Sequence, residues 1–172
     1  MSKDAKNLSQ PHNSVSRHLL ILETKKTAVA PLRLCGSLPS THKDTILIID
    51  DSINVRRFLA LTLEKGGYEV EQAKDGQDAL EKIESGLKVA AIICDIEMPR
   101  LDGYGFLDRI NSNIDTKHIP VTILTSRSGN KHRQIAMQLG AKAYFSKPYN
   151  EQELLQTIAE LIGKVPDTAT SS

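Results

Sequence analysis

Asp50 and Asp51 stand side by side directly after the apolar run Ile46 to Ile49, in "TILIIDDS" (45–52). A third aspartate, Asp95, ends a second apolar run, "VAAIICD" (89–95). "PVTILT" (120–125) closes on Thr125, and "AKAYFS" (141–146) leads into Lys147 and Pro148. Adjacent carboxylates repel, and three of them in one cleft cannot all stay ionised without a cation. Their ligand atoms are all oxygens, which suits a hard divalent ion such as Mg2+, with Mn2+ as an alternative. Mg2+ keeps waters and accepts phosphate oxygens, so a phosphoryl group is the natural guest. Asp95 is then the best-placed nucleophile for in-line phosphoryl transfer onto a carboxylate. Lys147 can pair with a phosphoryl oxygen and Thr125 can donate a hydrogen bond. An acyl phosphate is labile, so such a product suits a signal better than a store.

That chemistry requires elements that bring the five side chains to one rim. From Thr45 to about Lys164, apolar runs of strand length alternate with longer segments of helical period. Strands are expected at 45–50, 68–73, 89–95, 120–125 and 141–146, and helices at 53–65, 76–86, 102–112, 129–139 and 150–162. Val55, Phe58, Leu59, Thr62 and Leu63 mark the inner face of the first helix; Leu154, Leu155, Ile158, Leu161 and Ile162 mark that of the last. Gly66-Gly67, Gly86 and Gly140 follow helices, where a left-handed residue is wanted. Fivefold strand–helix alternation predicts a parallel sheet covered on both faces. "YEVEQA" (68–73) alternates polar and apolar and reads as an edge strand; the first, third and fourth strands read as central. Ligands in such sheets bind beyond the carboxyl ends of the strands, where all five chemical residues fall.

The chain has 172 residues, 40% apolar and 25% charged, with net charge +1. No global field favours nucleic acid or a membrane surface. Trp is absent and Phe and Tyr are few, which offers no stacking platform for bases. Two distant cysteines, Cys35 and Cys94, fit a reducing compartment, no apolar run approaches a membrane span, and the expected location is cytoplasmic. Residues 1–44 read as an N-terminal extension, partly disordered, with a short hairpin as the alternative for its apolar patch. Residues 45–164 form the main domain, and 165–172 a disordered polar tail. The five histidines, at 12, 18, 42, 118 and 132, show no metal spacing and read as surface or loop residues. Arg56 and Arg57 read as solvated, and Met98 and Met137 as packing residues.

Taken in order, "IIDDS", "CDIEMPRLDG", "ILTS" and "YFSKP" resemble the receiver domain of two-component response regulators, the CheY-like family. The resemblance covers about Thr45 to Gly163. It implies a flavodoxin-like (βα)5 doubly wound parallel sheet in strand order 2-1-3-4-5. It also implies Asp95 as phospho-acceptor, with Asp50 and Asp51 as the acidic pair for Mg2+. The backbone carbonyl of Glu97 would be a further metal ligand. Thr125 would be the switch hydroxyl and Tyr144 the switch aromatic, although Tyr144 also fits a fixed core position. Lys147 would contact the phosphate, with a cis bond into Pro148. The donor would be a phosphohistidine on a histidine kinase or histidine phosphotransfer domain. The output would be an unknown downstream protein at the face of the fourth helix, fifth strand and fifth helix. The wording of "DIEMPRLDGYGFL" and of residues 123–155 is most similar to receivers at the C-terminus of CheA-type hybrid histidine kinases. Those kinases carry upstream domains that 44 residues cannot hold, so a stand-alone regulator and a fragment are both open, and no DNA-binding domain is expected after Gly163.

Two other functions compete. A haloacid-dehalogenase-type phosphatase also uses an aspartyl nucleophile, a Thr or Ser and a Lys, but places a D-x-D motif on its first strand. Here that strand ends Asp50-Asp51-Ser52. A non-phosphorylated interaction module on the same fold usually lacks an acid or the lysine, and this chain keeps them all. The expectation is a switch that catalyses only its own phosphorylation and dephosphorylation. One further expectation concerns access: Glu97 and Arg127, two residues beyond Asp95 and Thr125, carry opposite charges and share the rim. They would pair across the entrance and slow attack by water.

Overall fold

The computed structural model describes residues 43–164. The expectations for residues 1–42 and 165–172, including the hairpin, the disordered extension and the polar tail, lie outside the described residues. Five strands and five helices alternate: β1 (Thr45–Ile49), α1 (Ile53–Lys65), β2 (Glu69–Ala73), α2 (Gly76–Glu84), β3 (Ala91–Cys94), α3 (Gly103–Ser112), β4 (Val121–Thr125), α4 (Asn130–Gln138), β5 (Ala143–Ser146) and α5 (Glu151–Leu161). The strands form one parallel sheet in the order β2-β1-β3-β4-β5. β2 is an edge strand, as its alternating sequence predicts, and the three apolar runs are central.

Side chains alternate across each strand, so every central strand feeds two cores. Leu47, Ile49, Ile92, Cys94 and Ile123 pack with Ala79, Leu80, Phe106, Leu107, Ile110 and Ala136 of α2, α3 and α4. Ile46, Ile48, Ile93 and Leu124 pack on the other face with Leu59 and Leu63 of α1 and Leu154 and Ile158 of α5. The Cys94 thiol is fully buried, and burial pushes its pKa well up, which fits a reduced core residue rather than a reactive one. Among the described residues no helix is long and apolar enough to cross a membrane.

Three packing expectations need correction. Phe58 is 51% exposed: Leu59, Thr62 and Leu63 point at the sheet, and Phe58 lies at the margin of their stripe. Met137 is 42% exposed, because α4 buries only Ala136 completely. Gly66 is not left-handed: it caps α1 at φ −74°, and Gly67 takes the positive φ of 87°.

Candidate functional site

The ladder hydrogen bonds continue past the strand ends and carry the chemical residues with them. Ile49 pairs with Cys94, and the Asp95 N–H donates to the Ile49 carbonyl at 2.8 Å. Asp95 is thereby held beside Asp50. Thr125 pairs with Ser146, and the Lys147 N–H donates to the Thr125 carbonyl at 2.8 Å. The turn after β1 adds precision. Ser52 caps α1 with its side chain and donates its N–H to Asp50 Oδ1 at 2.8 Å. Arg56 Nη1, one turn into α1, donates to the Asp50 carbonyl at 2.6 Å, so Arg56 is anchored to the site rather than solvated.

Asp50, Asp51 and Asp95 each offer an oxygen, and all three oxygens lie within 4.8 Å of one another. Asp50 and Asp95 are buried, while Asp51 is exposed. Lys147 Nζ reaches across from β5 to Asp50 Oδ2 at 2.7 Å and Asp95 Oδ2 at 3.1 Å. The other Asp95 oxygen accepts from the Ile96 N–H at 2.6 Å. One ammonium thus serves two buried carboxylates. Burial pushes the Asp50 carboxyl above its ordinary range, with the Asp95 charge adding to it, against the pull of Lys147 and the Ser52 N–H. Burial alone would lower the Lys147 pKa, but its hydrogen bond to Asp50 and the two negative charges outweigh that and raise it. A pocket with this surplus of negative charge fits a hard cation by its donor set, all oxygen and partly open to solvent.

The switch candidates meet on one residue. Thr125 is fully buried, and its Oγ1 accepts from the Arg127 N–H at 3.3 Å. The Tyr144 hydroxyl donates to the Arg127 carbonyl at 2.6 Å, while the ring packs against the α2–α3–α4 core. The Arg127 guanidinium reaches Glu97 Oε1 at 2.8 Å. Asp51, Glu97, Met98, Tyr104 and Arg127 line an open cleft of about 570 Å3 beside the acids. The Lys147–Pro148 peptide is cis.

Several contributors had no place in the sequence expectations. Gly103, at the start of α3, leaves no room for a side chain: a Cβ there would collide with the Asp95 carbonyl. The Tyr104 hydroxyl, in the cleft wall, lies 3.0 Å from His132 Nδ1, so His132 is a bonded partner of α3 and not merely a surface residue. Arg100 adopts φ 61° and forks onto the buried Asp75. The only sequence signal for any of these is the Asp-Gly pair at 102–103 and again at 75–76, where Asp caps a helix.

Comparison with known proteins agrees with this architecture. The model of the response regulator receiver domain matches residues 46–159. The response regulator MprA of Mycolicibacterium vanbaalenii is 37% identical over 123 residues, 71% of this chain and 52% of that one. This chain spans about half the length of the curated relatives it matches. Chemotaxis protein CheY4 of Vibrio cholerae superposes with a TM-score of 0.65 at 32% identity, covering 70% of this chain and 99% of that one. The receiver domain of a sensor histidine kinase of Pseudomonas aeruginosa PAO1, solved with a magnesium ion coordinated in its active-site cleft, gives 0.65 at 27% identity, with 71% and 99% covered. By sequence, topology and the placing of its acidic rim, this chain belongs to the response regulator receiver domain family of two-component systems.

Proposed function

We propose that this chain is a phosphorylation-controlled signalling switch whose acceptor is Asp95. The observation that carries the reading is the convergence of three aspartate oxygens within 4.8 Å, with the Lys147 ammonium on two of those aspartates. Asp50, Asp51, Asp95 and the Glu97 carbonyl would hold Mg2+, as a magnesium ion is held in the cleft of the Pseudomonas receiver. Bound there, the ion would neutralise charge on the phosphoryl oxygens. Lys147 would leave its carboxylate partners in part and meet a phosphoryl oxygen. An Asp95 oxygen attacks phosphorus in line with the departing group. The new O–P bond forms as the P–N bond of a phosphohistidine breaks, and the electron pair leaves on the imidazole nitrogen. Positioning and charge do the catalysis, so the protein acts on itself and turns over no separate substrate.

A phosphoryl group at Asp95 would draw Thr125 toward it and break its bond to the Arg127 N–H. Arg127 also accepts from Tyr144, so the aromatic would follow, altering the face of α4, β5 and α5 for a downstream protein. The donor is a histidine kinase or phosphotransfer domain in the cytoplasm. The similarity to CheY4 and the wording of residues 95–107 support a chemotaxis-like pathway, with a receiver linked to a CheA-type hybrid kinase as the specific form. Incubation with a small phospho-donor and Mg2+ should add the mass of one phosphoryl group to the wild type and none to Asp95→Asn. A wild type that gains no mass, or an Asp95→Asn protein that gains the same, would refute the reading.

The Glu97–Arg127 pair carries a second expectation. Both side chains are about half exposed, so the pair is worth only ~0–1 kcal/mol to folding. If it must open before water reaches the phosphoryl group, losing ~1 kcal/mol of pairing speeds hydrolysis about fivefold. Glu97→Ala and Arg127→Ala should each shorten the phosphoryl lifetime by about that factor, with unfolding midpoints unchanged. Lifetimes equal to wild type would remove the pair from the mechanism.

A further inference from the structure

The loop between β3 and α3, residues 95–102, is both the carrier of the acceptor and one wall of the cleft. Its Ile96 N–H holds an Asp95 oxygen at 2.6 Å, and its Glu97, Met98 and Pro99 line the opening. At its far end Arg100 takes φ 61°, a left-handed conformation that a residue with a Cβ rarely adopts. Such a conformation persists where surrounding contacts over-determine it. Here the contact is a two-pronged fork: Arg100 Nε donates to Asp75 Oδ2 and Nη2 to Asp75 Oδ1, each at 2.7 Å. Asp75 is 2% exposed and also caps α2 by accepting from the Asp78 N–H at 3.0 Å. The adjacent backbone adds a second tie, from the Gly76 N–H to the Leu101 carbonyl at 3.1 Å. A Cβ on Gly76 would lie 2.8 Å from that carbonyl, so the two loops are in close contact. Arg100 touches none of the acid cluster, yet it joins the cleft wall to the start of α2.

We infer that Arg100 is a positioning residue: its fork onto Asp75 clamps the β3–α3 loop and so sets the Asp95 carboxylate and the Glu97 carbonyl in the geometry a divalent cation needs. The inference rests on the proposed reading of the acid cluster as a Mg2+ site. Residues that orient ligands from behind typically alter metal affinity by ~10–100-fold when lost. Glycine accepts φ 61° without strain, so Arg100→Gly removes the clamp while relieving the backbone.

The test is an Mg2+ titration of the full chain, followed by amide NMR shifts at Asp95 and Glu97, together with urea unfolding without Mg2+. Arg100→Gly is expected to bind Mg2+ ~10-fold more weakly, with faster amide exchange at residues 96–98, 100 and 101. Arg100→Lys keeps the charge but not the fork, and should recover only part of the affinity. A simple loss of global stability predicts a lowered unfolding midpoint with Mg2+ affinity retained in the folded fraction. That result, or unchanged affinity beside a wild type that binds, overturns the clamp alone. A wild type that shows no Mg2+ response overturns the proposed site, and the clamp with it.

Discussion

Lys147→Met is expected to cost about 3 kcal/mol of folding stability at pH 7 and distinctly less near pH 4.5. Methionine keeps the length of the stem, so packing changes little and the charge is what goes. The ammonium lies on Asp50 and Asp95, which are 2% and 7% exposed. Removing one partner of a buried pair leaves charge uncompensated, at ~3–5 kcal/mol. The lower end applies because the Lys147 side chain keeps 18% of its surface exposed to water. The pH dependence follows from the direction of the Asp50 shift. Burial already holds this carboxyl above its ordinary 3.8, and Lys147 is the main influence pulling it down. Without Lys147 the folded-state pKa rises further. An acid with a raised folded pKa contributes stability that is full below its unfolded value and is lost as pH rises through the folded value. Acidification from pH 7 therefore restores the variant relative to wild type. In the wild type the raised Lys147 pKa works at the other end of the scale: its contribution is full below 10.5 and disappears only at more alkaline pH. Urea unfolding of both proteins at pH 7 and pH 4.5, with and without Mg2+, reads the effect. Mg2+ should recover much of the loss at pH 7. An identical deficit at both pH values would mean that Lys147 matters through packing and not through its charge.

The expectations that held are those in which local pattern and tertiary demand coincide. β1, β3 and β4 are buried on both faces and read as unbroken apolar runs, and β2 sits at the edge and alternates. The acids and Thr125 are legible because each lies at the carboxyl end of such a run, and Lys147 because it follows the partly exposed edge strand β5, whose end parallel topology gathers to the same rim. Glu97 and Arg127 were paired on opposite charge and equal offset from the strand ends, and their side chains meet at 2.8 Å. The contacts that local pattern does not encode involve backbone geometry or long side chains crossing between loops. Nothing in "MPRLDG" marks Arg100 as left-handed, since a positive φ outside glycine is imposed by surroundings. Arg56 looked like any outward helix arginine, yet its length allows it to turn back on the preceding strand end. Tyr104 and His132 are 28 residues apart and belong to different helices, so no local period relates them. Phe58 failed for a simpler reason: a helix stripe is about 100° wide, and its margin is decided by where the sheet stops.

The two adjacent aspartates should separate cleanly under mutation, because the chain turns between them. Asp50 is buried and accepts from the Ser52 N–H and from Lys147, so its carboxylate is part of the folded structure. Asp51 is exposed, and among the described residues its carboxylate makes no hydrogen bond or ion pair, while it stays within reach of Asp50 and Asp95 oxygens. Asp51→Asn should leave stability in chelator-treated buffer within ~0.5 kcal/mol of wild type, as is usual at a surface position. Asp50→Asn should lose ~1 kcal/mol under the same conditions, because the half-buried Lys147 ammonium keeps only Asp95 as a charged partner, a loss partly offset by removing a carboxylate that burial and the Asp95 charge disfavour. Mg2+ reverses the contrast. Both changes remove a charged oxygen ligand and should weaken binding by at least ~10–100-fold. At a concentration 100 times its Kd, Mg2+ stabilises the wild type by about 2.7 kcal/mol; after a hundredfold loss of affinity the gain falls to ~0.4 kcal/mol. Unfolding curves with chelator and with Mg2+ therefore give each aspartate its own signature. If Asp51→Asn keeps the full Mg2+ gain, the exposed acid is no ligand, and the repulsion between neighbouring carboxylates must be relieved by solvent alone.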